Sequence, residues 1–348
     1  MFCKFLESED ASNIARAIVG SCRLNGWSND LIPQFLRILF KDLLNYDCDF
    51  LTLAPATIRD TIDAFPIGLM LTFPPVCPAH NLKKREELVD LLVMIEMLSN
   101  PVPKELSKSI DEWADRLGIH NQRLVVARDM AQGSIHRASN DFWRIVMGRN
   151  KTVDTPKLPE MLRNYGTKAY GITVELDQAE LDRWEALQDC PSGSFGRGLW
   201  EFYKKRGFLF PGAVGAVNVG LAHHDWLHVL TDFDTDGLGE MEVFAFAAAT
   251  SASPAATMAF LGHLSIFQSG VLIHVIKGEQ YQGHDLQSPD GPKRIADSIR
   301  RGKAANIDLW TGLNAFDYAN EQVTDLQKKW NIVGRGSHNP RPYSPFDS

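Results

Sequence analysis

The chain is short of positive charge, of patterned cysteine and of uninterrupted apolar length. Its 36 Lys and Arg stand against 43 Asp and Glu, a net charge of -7. That balance excludes a general nucleic-acid binder, because phosphate contacts need a basic face. The five cysteines, Cys3, Cys22, Cys48, Cys77 and Cys190, are odd in number and form no CxxC pair or Cys/His cluster. Buried or incidental thiols in a reducing compartment are expected, rather than a disulfide framework. The opening residues, MFCKFLESED, lack the apolar core of a signal peptide. A cytoplasmic location is the corresponding expectation. Between Val243 and Ile276 there is no charged residue, but Thr250, Ser251, Ser253 and Pro254 interrupt the run. A spanning helix needs about 20 mostly apolar residues in a row. Two buried helices with a break near Pro254 are expected instead.

What is present is enough apolar material for a sizeable core: 348 residues, 44% hydrophobic and 23% charged. The periodicity is helical. Asp30-Leu31-Ile32-Pro33 opens a helix whose Phe35, Leu36, Leu39, Phe40, Leu43 and Leu44 recur at spacings of three and four. A second helix is expected over 85–98, stopped by Asn100-Pro101-Val102-Pro103, and a third over 104–117, closed by Gly118. A further amphipathic stretch covers Gln122 to Met147. Gly148 to Pro159, polar and proline-punctuated, is the expected boundary. The expected organisation is therefore all-α. It comprises a helical accessory domain over 1–148, a linker and lead-in over 149–186 with a brief extended piece at 172–175 and a short helix at 178–187, and a second helical domain over 187–348.

The chemistry is concentrated in HHDWLHVLTDFDTDGLGEMEVFAF, residues 223–246. On a helix His224 and His228 are i and i+4, so both rings leave one face and can share an ion. Asp225 lies about 100° round from His224, able to bind the same ion or to orient a ligand. Gly237 and Gly239 let the chain turn, and Glu240 begins the next helix facing back. Two imidazoles with one or two carboxylates suit Zn, Fe(II), Mn or Co better than Ca or Mg. The bland alternative is an ordinary histidine pair beside a solvated acidic turn. A second alternative is a calcium loop, since Asp232, Asp234, Asp236 and Gly237 imitate an EF-hand. Its twelfth position, however, is Val243, and Glu242 falls one short of the bidentate Glu that calcium needs.

Two resemblances follow. The stretch ELVDLLVMIEMLSNPVPKELSKSIDEWADRLGI resembles the TerB-like helical domains of tellurite resistance, over about Pro33 to Arg144. The turn Ser99 to Pro103 has no acidic residue, so the metal site of some TerB-like turns is not expected here. His224-Asp225-x-x-His228, eleven residues, then Glu240 is similar to the HDxxH-x11-E signature of the coenzyme Q (ubiquinone) biosynthesis protein 4 family. Cys190 to Arg197, Leu199 to Tyr203, Arg301 to Ala304, Trp310 and Leu326 to Ile332 resemble that family's flanking segments.

That resemblance implies an all-α, often dimeric fold with one divalent metal held by His224, Asp225, His228 and Glu240. It also implies peripheral membrane contact, a channel for a polyprenyl tail, and partners in a biosynthetic complex. The implied chemistry is oxidative decarboxylation of a prenylated aromatic quinone precursor, carboxyl to hydroxyl at ring C1. The alternative is a non-catalytic lipid-binding scaffold or carrier with a structural metal. Phe244, Phe246, Met258, Phe260, Leu261 and Phe267 are candidates to line the channel, and Arg197, Arg300, Arg301 and Lys303 to meet a carboxylate or lipid headgroup. His223 is an alternate ligand, a proton shuttle or a surface residue.

Overall fold

The computed structural model describes residues 5–66, 79–148, 158–166, 168–281, 283–311 and 313–333. The fold is all-α, as the periodicity requires, with one short antiparallel pair, β1 (Ile273–His274) and β2 (Glu279–Gln280). The first half carries α1 (Ala11–Cys22), α2 (Leu31–Leu44), α3 (Ile58–Ala64), α4 (Ala79–Met97), α5 (Lys104–Arg116), α6 (Gln122–Ala131) and α7 (Ile135–Gly148). After it come α8 (Leu158–Tyr165), α9 (Lys168–Gly171), α10 (Gln178–Glu185), α11 (Phe195–Arg206) and α12 (Val219–Ala222). The last elements are α13 (Asp225–Thr231), α14 (Gly237–Thr250), α15 (Pro254–Leu264), α16 (Gly291–Ala304) and α17 (Val323–Lys329).

Local signals account for most of these limits. Asn29 accepts the Ile32 N–H at the start of α2, and Asn45, left-handed at φ 51°, ends it. Asn121 caps α6, Ser194 caps α11, and Ser253 caps α15 with Pro254 in the first turn. The amphipathic stretch from Gln122 to Met147 is divided between two helices, α6 and α7. Gly133, at φ +75°, turns the chain, and the Ser134 N–H bonds back to the Asp129 carbonyl at 2.8 Å. An amphipathic period survives such a break, which is why the pattern alone runs through it. The expected boundary lies largely in 149–157, outside the described residues. The extended piece shrinks to a single bridge, Ile172 to Val217.

The charge-free run becomes α14 and α15, separated at 251–253. A helix apolar on every side belongs inside a fold, and every residue of both is buried except half-buried Glu240 and solvent-adjacent Pro254. Helix α16 lies along one side of α14 and α15 along another; α2 packs on α16, and α4 and α7 on α15. One apolar cluster extends from Leu6 to Ile332. Inside it Glu242 is paired with Arg294, Nε to Oε1 at 3.0 Å, both buried. No helix among the described residues is long and apolar enough to cross a membrane.

Candidate metal centre

Helix α13 and the first turn of α14 bring the four candidate ligands together. His224 stands at the N-cap of α13 with a helical backbone (φ -74°, ψ -20°), so it keeps the i, i+4 relation to His228 that the sequence implies. Asp232, left-handed at φ 60°, ends α13 and reverses the chain. Asp236 then caps α14 by accepting the Gly239 N–H at 2.7 Å. Glu240 sits one turn into α14 and faces back. His224 Nε2 is 3.1 Å from Glu240 Oε2 and 3.3 Å from Asp225 Oδ1, and His228 Nε2 is 3.5 Å from Glu240 Oε1.

The rings are oriented from behind. His224 Nδ1 faces the Leu221 carbonyl, and His228 Nδ1 the Phe233 carbonyl at 3.1 Å. A carbonyl only accepts, so each Nδ1 carries a hydrogen and each Nε2 is the nitrogen offered to the centre. Asp225 is held in turn by the Tyr203 hydroxyl, which donates to Oδ2. Tyr203 is fixed by stacking on Phe210 and by Trp184.

The electrostatics fit a cation. Burial opposes protonation of His224, but the Asp225 and Glu240 carboxylates outweigh it and lift the ring to about 9. Burial likewise works against the Glu240 carboxylate, yet His224 and His228 hold it far below the usual carboxylate range. For Asp225 burial wins and its pKa is raised. His228 Nε2 is buried and has no hydrogen-bond partner. A buried polar atom is seldom left so unless something else is to bind it. His224, Asp225 and His228 also offer ligand atoms within 4.8 Å of one another. The residues therefore fit one divalent ion with mixed nitrogen and oxygen donors.

The calcium alternative has little left to it: Asp236 is engaged as a helix cap, and Glu242 is turned to Arg294. His223 is half-buried and lies off the cluster, in a small pocket with Trp310. Burial, with His224 beside it, lowers its pKa to about 4.

A cavity of about 610 Å³ opens on the centre, with His224, Asp225 and Glu240 in its wall. Of the six apolar residues expected to line a channel, only Phe267 lines this cavity. Phe244 stacks on His263 instead, with ring centroids 3.5 Å apart, and Phe246, Met258, Phe260 and Leu261 are core. Helices apolar all round, as α14 and α15 are, give no clue from pattern as to which side faces a hollow. The real wall comes from elsewhere: Trp143, Phe208, Leu209, Ile276, Tyr281 and Asp285. Phe208, Leu209 and Ile276 are 41%, 55% and 54% exposed and so form its mouth. No spacing in the sequence links these wall residues to the motif, and the sequence assigns no role to Tyr203, within the Leu199 to Tyr203 segment flanking it.

The four basic candidates do not line the cavity either. Arg197 pairs with Glu201 and Arg300 with Asp297. Arg301 is buried and donates to the Thr231 carbonyl at 2.9 Å, bracing the end of α13. Lys303 is half-buried on α16.

No protein-family profile matches this chain, and no curated protein does. A crystal structure of a proposed ubiquinone biosynthesis protein from Nostoc punctiforme is similar over 70% of this chain and 96% of that one, at 17% identity and a TM-score of 0.31. A TM-score that low leaves the geometry of the centre to carry the functional conclusion.

Proposed function

We propose that the chain is a metal-dependent enzyme acting on an aromatic compound with a long apolar tail. In this reading His224, Asp225, His228 and Glu240 hold one Zn, Fe(II), Mn or Co ion at the inner wall of the cavity. The observation that carries it is His228 Nε2, buried, 3.5 Å from Glu240 Oε1 and without a hydrogen-bond partner, converging with His224 and two carboxylates beside open space. Such an ion, when bound, polarises a substrate oxygen or activates oxygen chemistry in a site with free positions.

The protein's own groups supply the rest. Tyr203 keeps Asp225 in place, and the Leu221 and Phe233 carbonyls set which nitrogen each ring presents. The aromatic wall, with Phe267 and Tyr281, receives a flat ring, and the apolar mouth at Phe208, Leu209 and Ile276 accepts a polyprenyl tail drawn from a membrane surface. The HDxxH-x11-E spacing supports a place in the biosynthesis of ubiquinone or a related quinone. The expected conversion is replacement of a ring carboxyl by hydroxyl. The carboxyl leaves as carbon dioxide, dioxygen supplies the hydroxyl oxygen, and an external donor of two electrons with two protons takes the other oxygen to water.

Elemental analysis of the purified protein beside a His224→Ala, His228→Ala variant tests the centre. About one equivalent of a transition metal, lost in the variant, is expected. Equal metal in both, or none in either after reconstitution, overturns the reading. If chelation unfolds the second half while no aromatic substrate turns over, the metal is a brace between α13 and α14 in a lipid carrier.

A further inference from the structure

Two more residues of the cavity wall each carry a buried polar atom without a hydrogen-bond partner: Trp143 its Nε1 and Asp285 its Oδ2. They lie 142 residues apart in the sequence. Trp143 belongs to α7, which reaches the cavity because Gly262 on α15 lets it approach: a Cβ at 262 would stand 1.9 Å from Phe142 Cε2. Asp285 follows the β1–β2 pair. Its Oδ2 lies 2.1 Å from where a Cβ at Gly237 would be, so the carboxylate occupies the side-chain space of that helix position. Gly237 and Glu240 are i and i+3 on α14 and share a face. The carboxyl of Asp285 is therefore a helical turn from a metal ligand, on the same side.

These atoms have opposite hydrogen-bonding character. An indole N–H only donates, and a carboxylate oxygen accepts. Between them the wall is aromatic, with Phe267 against Tyr281 (ring centroids 5.4 Å) and His274 (5.7 Å). Burial, with Asp236 nearby, raises the Asp285 pKa, which records that the partly buried charge lacks full compensation. His284 and Lys277, which face it and act to lower that pKa, offset this only in part.

We infer that Trp143 and Asp285 are the recognition points of this cavity, and that its ligand is an aromatic ring bearing a carbonyl-type acceptor for the indole and a hydroxyl for the carboxylate. The inference rests on the cavity being the substrate site. It makes the N-terminal helices part of that site through Trp143. A site that hydrogen-bonds a substrate hydroxyl discriminates strongly against the analogue lacking it, because its own polar atom is then left bare.

The test uses full-length protein, metal-free and zinc-loaded, titrated calorimetrically with 3- and 4-hydroxyacetophenone, with acetophenone (no hydroxyl) and with 4-ethylphenol (no carbonyl). One of the hydroxyacetophenones is expected to bind about tenfold or more tighter than either control. Asp285→Ala brings the hydroxyacetophenone to acetophenone ratio to about one, and Asp285→Asn, keeping a neutral acceptor, leaves part of it. Trp143→Phe removes the preference over 4-ethylphenol while 4-ethylphenol itself still binds. Equal binding of all the probes, no binding of any, or preferences unchanged in these variants overturns the inference. Because the metal-free protein is titrated too, loss of the metal reading and loss of this one are separable: metal content is unchanged in the Asp285 and Trp143 variants.

Discussion

On the proposed reading, a metal entering this centre competes with a proton, and the proton can be counted. In the metal-free protein the Asp225 and Glu240 carboxylates, against the effect of burial, keep His224 protonated up to about pH 9. His263 is held down near 3 by burial, and His223 near 4 by burial and the His224 charge. Neither competes for that proton at neutral pH. A metal needs the Nε2 lone pair, so binding at pH 7 releases about one proton from His224. The apparent affinity should rise about tenfold per pH unit from 6 to 8 and level off towards 9. Two units below that pKa correspond to about 2.7 kcal/mol of binding free energy. Zinc or cobalt is titrated into chelator-treated protein in two buffers of different ionisation enthalpy, and the difference in observed heat counts the protons. The same linkage acts on folding. A pKa of about 9 in the fold against about 6.5 unfolded gives a contribution that is complete below 6.5 and lost as pH rises through 9. Metal-free protein should therefore melt progressively lower between pH 6.5 and 9, while metal-loaded protein should not. No proton release at pH 7, or an affinity flat from 6 to 8, would show that His224 is not a ligand.

Two further substitutions probe the support of the centre. Tyr203→Phe removes the donor to Asp225 Oδ2. Since partners behind metal ligands are typically worth 10–100-fold in affinity, competition with a chromogenic chelator should show a loss of about that size; unchanged affinity would leave Asp225 out of the ligand set. Gly262→Ala sets two effects against each other. Alanine favours a helix over glycine by about 1 kcal/mol, but its Cβ meets three carbons of the fully buried Phe142 ring at 1.9–2.6 Å. Overpacking of that kind costs about 1–3 kcal/mol, so a lower urea midpoint is expected, recovered in part by Phe142→Leu. A variant as stable as the parent would mean that α7 is not tightly seated on α15.

The parts legible in the sequence are those fixed over short distances. The start at Asp30 and the break at Pro254 act on their own turns, so α2 and α15 begin where the residues say. The convergence of the four candidate residues was legible for the same reason: His224 and His228 are one turn apart on one helix, and only eleven residues, ending in the turn that Asp236 caps, separate His228 from Glu240. Gly133 was missed as a break because a helix that ends and restarts with its apolar face still inward leaves the period intact. The cavity was not legible because its wall is assembled from residues as distant as Trp143, Phe208 and Asp285. Where α14 and α15 are buried on every side, hydrophobicity cannot mark the side that faces a hollow. The informative signal there is polar: an indole nitrogen, a carboxylate oxygen and an imidazole nitrogen, each buried with no hydrogen-bond partner, all belong to residues at or beside one space. Folding leaves a polar atom bare at a cost, and a wall that leaves several bare together is shaped by what it binds more than by its own stability.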